Sequence, residues 1–208
     1  YSSTAWPYPN LKTAKKAQEY CERKNSNAKT NIQEITGLQC LIVDALTAQH
    51  AKAFWQHTGL GASSRQAAIA LNQEKPPSKN SATTAQKSIR NRLATIYKCN
   101  PDLIHLYPSG MAALTTALEA LREFRPKSTA LQLGFPYVDV LKLPQVIFDG
   151  SELILEANPI ELANHLDQKR PSALIVELPS NPMLECMDLK AISKLAHKRG
   201  IPVIVDDT

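Results

Sequence analysis

SALIVELPSNPMLECMDLKAISKLAHKRGIPVIVDDT, residues 172–208, is the stretch that decides the fold. SALIVEL (172–178) and IPVIVD (201–206) are short apolar runs of strand length, and both run out into acids. Between them, DLKAISKLAHKRG carries Leu189, Ile192, Leu195 and Ala196 on one helical face and stops at Gly200, a good helix terminator. Strand, helix and strand in this order make a βαβ unit with a right-handed crossover and parallel strands. In such sheets ligands sit in the crevice outside the carboxyl ends of the strands. Asp206 and Asp207 therefore stand where a ligand belongs, and at least one of them is expected to face a cation.

The pattern repeats upstream. STALQLG (128–134), QVIFDG (145–150) and DLIHLY (102–107) read as further strands. SGMAALTTALEALREF (109–124) reads as a helix with Met111, Leu114, Leu118 and Leu121 on one stripe. Before residue 100 the texture is different. GLQCLIVD (37–44) is a strand, residues 46–56 form the helix after it, and HTGLGASSR (57–65) is a glycine-containing loop. A helix is expected over 65–72, and EKPPSKNS (74–81) is the best linker or surface loop. TTAQKSIRNRLATIY then places Ile89, Leu93, Ile96 and Tyr97 on one helical face. Residues 1–31 are polar and basic, with one helical segment around 11–23. The expectation is an α/β fold, a mainly parallel sheet with flanking helices. Residues 1–100 form an N-terminal segment with helices and a basic, proline-containing loop, and 101–208 the first part of a ligand-binding domain.

Composition narrows the function. At 43% hydrophobic and 21% charged, the chain can bury a sizeable core. No apolar run approaches the roughly 18 residues of a membrane helix, and nothing near Tyr1 resembles a secretory segment, so no membrane partner is expected. Cys21, Cys40, Cys99 and Cys186 are widely spaced without a C-x-x-C, which suggests neither zinc nor a disulfide framework. A reduced, cytoplasmic setting fits. The net charge of +5 is concentrated in 12–29 and 75–98, but the second cluster is not interleaved with aromatic residues beyond Tyr97 at its end. These read as solvated basic faces, and no nucleic-acid partner is expected.

Three readings of the acidic strand end compete. A Mg²⁺ site of the Walker B kind would need a G-x-x-x-x-G-K-[ST] loop, which the chain lacks. Strand-end aspartates also cap loops or the next helix. The third reading takes in YPSGMAAL (107–114), where Ser109 suits a helix N-cap and Gly110 permits close backbone approach. The first N–H groups of that helix, at Gly110, Met111 and Ala112, make an anion site. ELPSNP (177–182) holds Asn181 in a turn at another strand end. A phosphate cup, an amide and a carboxylate would suit a phosphorylated aromatic cation.

YPSGMAA followed by ELPSNPMLECMDLKAISKLAHKRGIPVIVDDT resembles the Cys/Met-metabolism family of pyridoxal-phosphate (PLP) enzymes over roughly the last hundred residues. FWQHTGLGASSR (54–65) and GFPYVDVLK (134–142) further resemble the cystathionine γ-synthase branch of fungal type. The resemblance implies fold type I, PLP as cofactor and a transferase of trans-sulfuration in methionine biosynthesis. It implies that Asp206 pairs with the pyridinium nitrogen and Asn181 bonds the ring's phenolic oxygen. The N–H groups of Gly110 and Met111 would hold the phosphate, and Arg65 would reach a partner copy's phosphate in a homo-oligomer. The family's stacking tyrosine is replaced by Phe135, with Tyr137 two residues on. Ser63 stands for the tyrosine of a Y-S-R motif, and Asp207 is a neighbour rather than a ligand.

The resemblance also places the family's Schiff-base lysine about twenty residues beyond V-D-x-T. The chain ends at Thr208, so it is expected to be a fragment with no catalytic residue of its own, inactive alone. Small amino acids are the expected substrates, and γ-replacement on an activated homoserine with cysteine the expected reaction. A γ-lyase, an O-acetylhomoserine sulfhydrylase or a non-catalytic truncated paralogue are the alternatives.

Overall fold

The computed structural model describes residues 3–125, 129–148 and 150–208. The chain divides into two compact units, Tyr1–Trp55 with Gly59–Ala113, and Gln56–Thr58 with Leu114–Thr208.

The first unit is built on strands β1 (Ser3–Tyr8), β2 (Thr30–Ile35) and β3 (Leu38–Asp44), antiparallel in the order β1-β3-β2. Pro7 lies in β1, an edge strand, where a missing donor is tolerated. Helix α1 (Leu11–Lys24) is capped by Asn10, whose Oδ1 accepts from the Thr13 N–H at 3.0 Å. It buries Ala14, Ala17, Tyr20 and Cys21. Burial, then the charge of Glu22, pushes the Cys21 thiol up to about 12, so it is an inert core residue. Helices α2 (Ala48–Thr58), α3 (Ser64–Ala70) and α4 (Lys79–Tyr97) follow. The expected apolar face of α4 is not a buried one: Ile89, Ile96 and Tyr97 are exposed, and only Ala94 is buried.

The second unit contains a four-stranded parallel sheet in the order β5-β4-β6-β7, made of β4 (Ala130–Leu133), β5 (Ser151–Ile154), β6 (Ala173–Glu177) and β7 (Val203–Asp206). Its helices are α5 (Gly110–Phe124, shared with the first unit), α6 (Val138–Ile147), α7 (Pro159–Lys169) and α8 (Leu189–His197). The α/β expectation, a parallel sheet with flanking helices, holds here. One sheet face carries Leu131, Leu133, Leu174 and Val176 against Leu162 and Leu166 of α7 and Ile192 and Ala196 of α8. All five residues of the central strand β6 are buried, which is why it reads as an unbroken apolar run.

Two expected strands are not strands. Residues 102–107 form a 3-10 turn at Pro101–Leu103 and an irregular segment. Asn100 Oδ1 accepts from the Asp102 N–H at 2.9 Å, and Leu103, Leu106 and Tyr107 are exposed. Within 145–150, Gln145–Ile147 is the end of α6; Asp149 lies outside the described residues, as does Ser128 of the expected strand at 128–134. Val140, Leu143, Val146 and Ile147 are buried at helical spacing, and Pro144 sits inside the helix. The strand that was expected there is β5, farther on and at the sheet edge.

Truncating Leu174, fully buried in β6, is expected to cost about 2–5 kcal/mol as Leu174→Ala. Leu153→Ala, on the exposed side of β5, should stay within about 1 kcal/mol. Urea unfolding midpoints check the pair, and equal costs would contradict this sheet order.

Candidate functional site

Parallel pairing sets Glu177 beside Asp206 at the carboxyl ends of β6 and β7. Side chains alternate along a strand, so these two acids share the face of Gln132 and Ile175, opposite the apolar cluster of α7 and α8. Glu177 is buried, and Asp206 is half-buried. Asp206 Oδ1 accepts from the Thr208 N–H at 3.2 Å and its hydroxyl at 2.6 Å, which turns the chain after the strand. The Leu178 N–H continues the ladder to the Asp206 carbonyl at 2.8 Å. Asp207 is exposed.

The loop after β6 closes on Ser180, which is buried. Its Oγ accepts from the Glu185 N–H at 3.0 Å, its N–H donates to the Glu185 carbonyl, and its carbonyl accepts from Leu184 at 2.7 Å. Asn181, the next residue, is exposed and precedes Pro182 across a cis bond. A buried serine thus holds the base of the turn that presents the asparagine.

A second turn leaves β4 through Gly134, whose φ of +89° only glycine adopts without strain. Its N–H donates to the Ile154 carbonyl at 2.9 Å. Phe135 is exposed, Pro136 is buried, and the Tyr137 N–H donates to Glu177 Oε2 at 2.5 Å. The Tyr137 hydroxyl donates to Asp139 Oδ2 at 3.1 Å. Asp139 is buried in the first turn of α6, where His57 Nδ1 meets its Oδ1 at 2.7 Å and Gln56 Nε2 donates at 3.3 Å. Burial pushes the Asp139 carboxyl up, but the bonds from His57, Tyr137 and Gln56 and the charge of His57 outweigh it and hold it below its ordinary value. The hydrogen bond to Asp139 and its charge raise the Tyr137 phenol. The segment Gln56–Thr58 is also tied to α5, since the Thr115 hydroxyl donates to the Thr58 carbonyl at 2.8 Å.

In the first unit, Ser109 Oγ accepts from the Ala112 N–H at 3.1 Å, so the expected N-cap is present. That bond takes Ala112 out of the expected anion cup and leaves Gly110 and Met111, whose first-turn N–H groups have no acceptor within the helix. Gly59 closes on the same turn: a Cβ there would stand 2.7 Å from Ser109 Oγ and 2.8 Å from Met111 Cβ. Arg65 is exposed on α3, and Ser63 before it is the N-cap, accepting from the Gln66 N–H at 3.2 Å while Gln66 Oε1 accepts from the Ser63 N–H.

Of the six site residues expected from sequence, Phe135, Asn181 and Asp206 follow or end neighbouring strands of one sheet, β4, β6 and β7. Gly110, Met111 and Arg65 belong to the first unit. Sequence reading missed Glu177 and the Asp139–His57 pair. Glu177 ends the run SALIVEL and was open to the argument applied to Asp206. The pair joins residues 82 positions apart, and no local pattern announces it.

A sequence profile described as "Cys/Met metabolism PLP-dependent enzyme" matches residues 47–208. Over 162 residues the chain is 33% identical to a cystathionine gamma-synthase of Neurospora crassa, covering 73% of this chain and 26% of that protein. It is 30% identical to the L-2-amino-4-chloropent-4-enoate dechlorinase/desaturase of Streptantibioticus cattleyicolor, covering 74% and 33%. An alanine racemase of Aspergillus violaceofuscus is 29% identical, covering 82% and 36%. The chain therefore spans about a quarter to a third of the length of these relatives. Among the described residues, no helix is long and apolar enough to cross a membrane.

Because Asp139 is held below its ordinary value of 3.8, its charge stabilises the fold above the carboxylate range, and that stabilisation fades as pH falls through the folded value. The gap in unfolding free energy between the protein and Asp139→Asn should be widest near about pH 5 and shrink toward about pH 2. Denaturant titrations at stepped pH check it; a gap that grows on acidification would contradict a stabilised carboxylate.

Proposed function

The chain belongs to the Cys/Met-metabolism PLP-dependent enzymes, and from that premise we propose that it carries the cofactor-binding part of a trans-sulfuration enzyme of the cystathionine γ-synthase kind. The observation that carries this reading is the carboxylate of Asp206 at the carboxyl end of a parallel strand, beside Glu177 and the turn bearing Phe135.

Taken unit by unit, the donors suit separate parts of PLP. Asp206, with Oδ1 engaged by Thr208, would be the acceptor that keeps a proton on the pyridinium nitrogen. Asn181 supplies an amide donor for the phenolic oxygen, and the exposed ring of Phe135 a stacking face. In the first unit, the N–H groups of Gly110 and Met111 suit a phosphate, helped by the helix dipole. Arg65, exposed on α3, is a guanidinium for the phosphate of a second copy in a homo-oligomer. PLP, when bound, stores the electron pair released at the substrate's α-carbon.

The reaction proposed is γ-replacement: the Cγ–O bond of an activated homoserine ester breaks, the cysteine sulfur bonds Cγ, and the thiol proton leaves with the carboxylic acid. Amino-acid substrates of this class suit the family, and methionine biosynthesis is the proposed setting. A γ-lyase or O-acetylhomoserine sulfhydrylase shares these cofactor contacts and differs in its products.

The test uses the protein expressed from its complete open reading frame. PLP should bind and give a coloured protein that loses its colour on borohydride reduction. Asp206→Asn should retain measurable PLP but lose about a hundredfold or more in kcat, since one lost charge interaction at the ring nitrogen is worth two tenfold steps or more. Cystathionine formed from an acylhomoserine and cysteine supports the synthase; oxoacid and ammonia support the lyase, and homocysteine from sulfide the sulfhydrylase. An Asp206→Asn protein with full kcat would refute the assignment of that residue.

A further inference from the structure

We propose that His57 and Asp139 are positioning residues of the cofactor site, acting through Tyr137 to fix the turn at the carboxyl end of β4 and so the attitude of the Phe135 ring. The inference rests on the PLP reading above. The turn is held at both ends. Gly134 is bonded to the Ile154 carbonyl, Tyr137 N–H to Glu177, and Pro136 between them is buried with its φ fixed by its ring. Phe135 faces outward from the turn, 46% exposed, and the Tyr137 ring is nearly as exposed but tethered through its hydroxyl.

The remaining freedom is that of α6 and its Tyr137 cap, and here the polar relay acts. The Tyr137 hydroxyl donates to Asp139 Oδ2, and Asp139 Oδ1 takes His57 and Gln56. Thr115 of α5 anchors the next residue, Thr58. Two features argue against a mere helix cap. Asp139 takes its donors from side chains 2, 82 and 83 positions away rather than from the N–H groups of its own helix. A buried aspartate–histidine pair is also a poor way to gain stability over an apolar pair, and a good way to specify one geometry. The relay commits the Tyr137 hydroxyl to a carboxylate, while Phe135 beside it carries no polar group and is held only by the turn's backbone.

The test is PLP titration of the apoprotein from the complete reading frame, followed by absorbance and by circular dichroism induced in the bound cofactor. Tyr137→Phe keeps the ring, and Tyr137 is half-exposed, so folding is not at stake. It removes one charge-assisted bond and should raise the Kd for PLP roughly fivefold to twentyfold, with altered induced dichroism. His57→Ala and Asp139→Ala should do the same or more. Asp139→Asn keeps one oxygen for His57 but turns an amide N–H2 toward the Tyr137 hydroxyl, so it should match Tyr137→Phe rather than the parent. Variants that lose melting temperature but bind PLP with unchanged Kd and dichroism would overturn the inference and leave the PLP reading standing. A parent protein that does not bind PLP would overturn that reading, and the inference with it.

Discussion

The register between β6 and β7 is the constraint on which the candidate site depends. It pairs Leu174 with Val203 and Glu177 with Asp206, so the two strand-end acids share one face of the sheet. A slip of one residue would turn Asp206 toward the leucines of α7 and α8, where an unpaired carboxylate is expensive. The apolar face therefore fixes the polar one. Leu162, Leu166, Ile192 and Ala196 hold the register, and the acids on the opposite side are placed as a consequence.

Local devices complete what the register begins. Ser180 closes its loop with three hydrogen bonds, and Asn158 and Ser63 open their helices with capping boxes. Ser63 is instructive because it stands where the resemblance leads one to expect a tyrosine. Its hydroxyl accepts the Gln66 N–H, so the substitution exchanges a long aromatic for a helix start. Arg65 keeps its place one residue into the same helix.

How much was legible in the sequence follows from how strongly each element is buried. β6, β7, α5 and α8 were read correctly, because a central strand or a helix over a sheet must show its apolar pattern. β1 and β2 were missed: as edge strands of a small antiparallel sheet they read STAWPY and TNIQEI, with few buried positions. α7 was missed although Asn158, Pro159 and Glu161 spell a capped start and Leu162 and Leu166 lie one turn apart. Residues 145–147 misled because Val146 and Ile147 are buried in either geometry. Asp206 and Asn181 were legible as strand-end residues, and the structure places them at the end of β7 and in the loop after β6. The contacts of Asp139 depend on tertiary structure alone, and sequence separation hid them.

The aromatic turn decides what this end of the sheet contributes to chemistry. Phe135 has no proton to give. Tyr137 has one, but its hydroxyl is bound to Asp139, and that carboxylate makes loss of the phenolic proton harder. The carboxylate in turn is held ionised by His57, Gln56 and Tyr137, so it is no acid at neutral pH. Tyr137 is held protonated and Asp139 ionised, each by the other. The Tyr137–Asp139 contact sets shape. Acid–base work in the proposed reaction therefore falls to groups other than Phe135, Tyr137 and Asp139, while the turn itself supplies a ring at the carboxyl end of the internal strand β4.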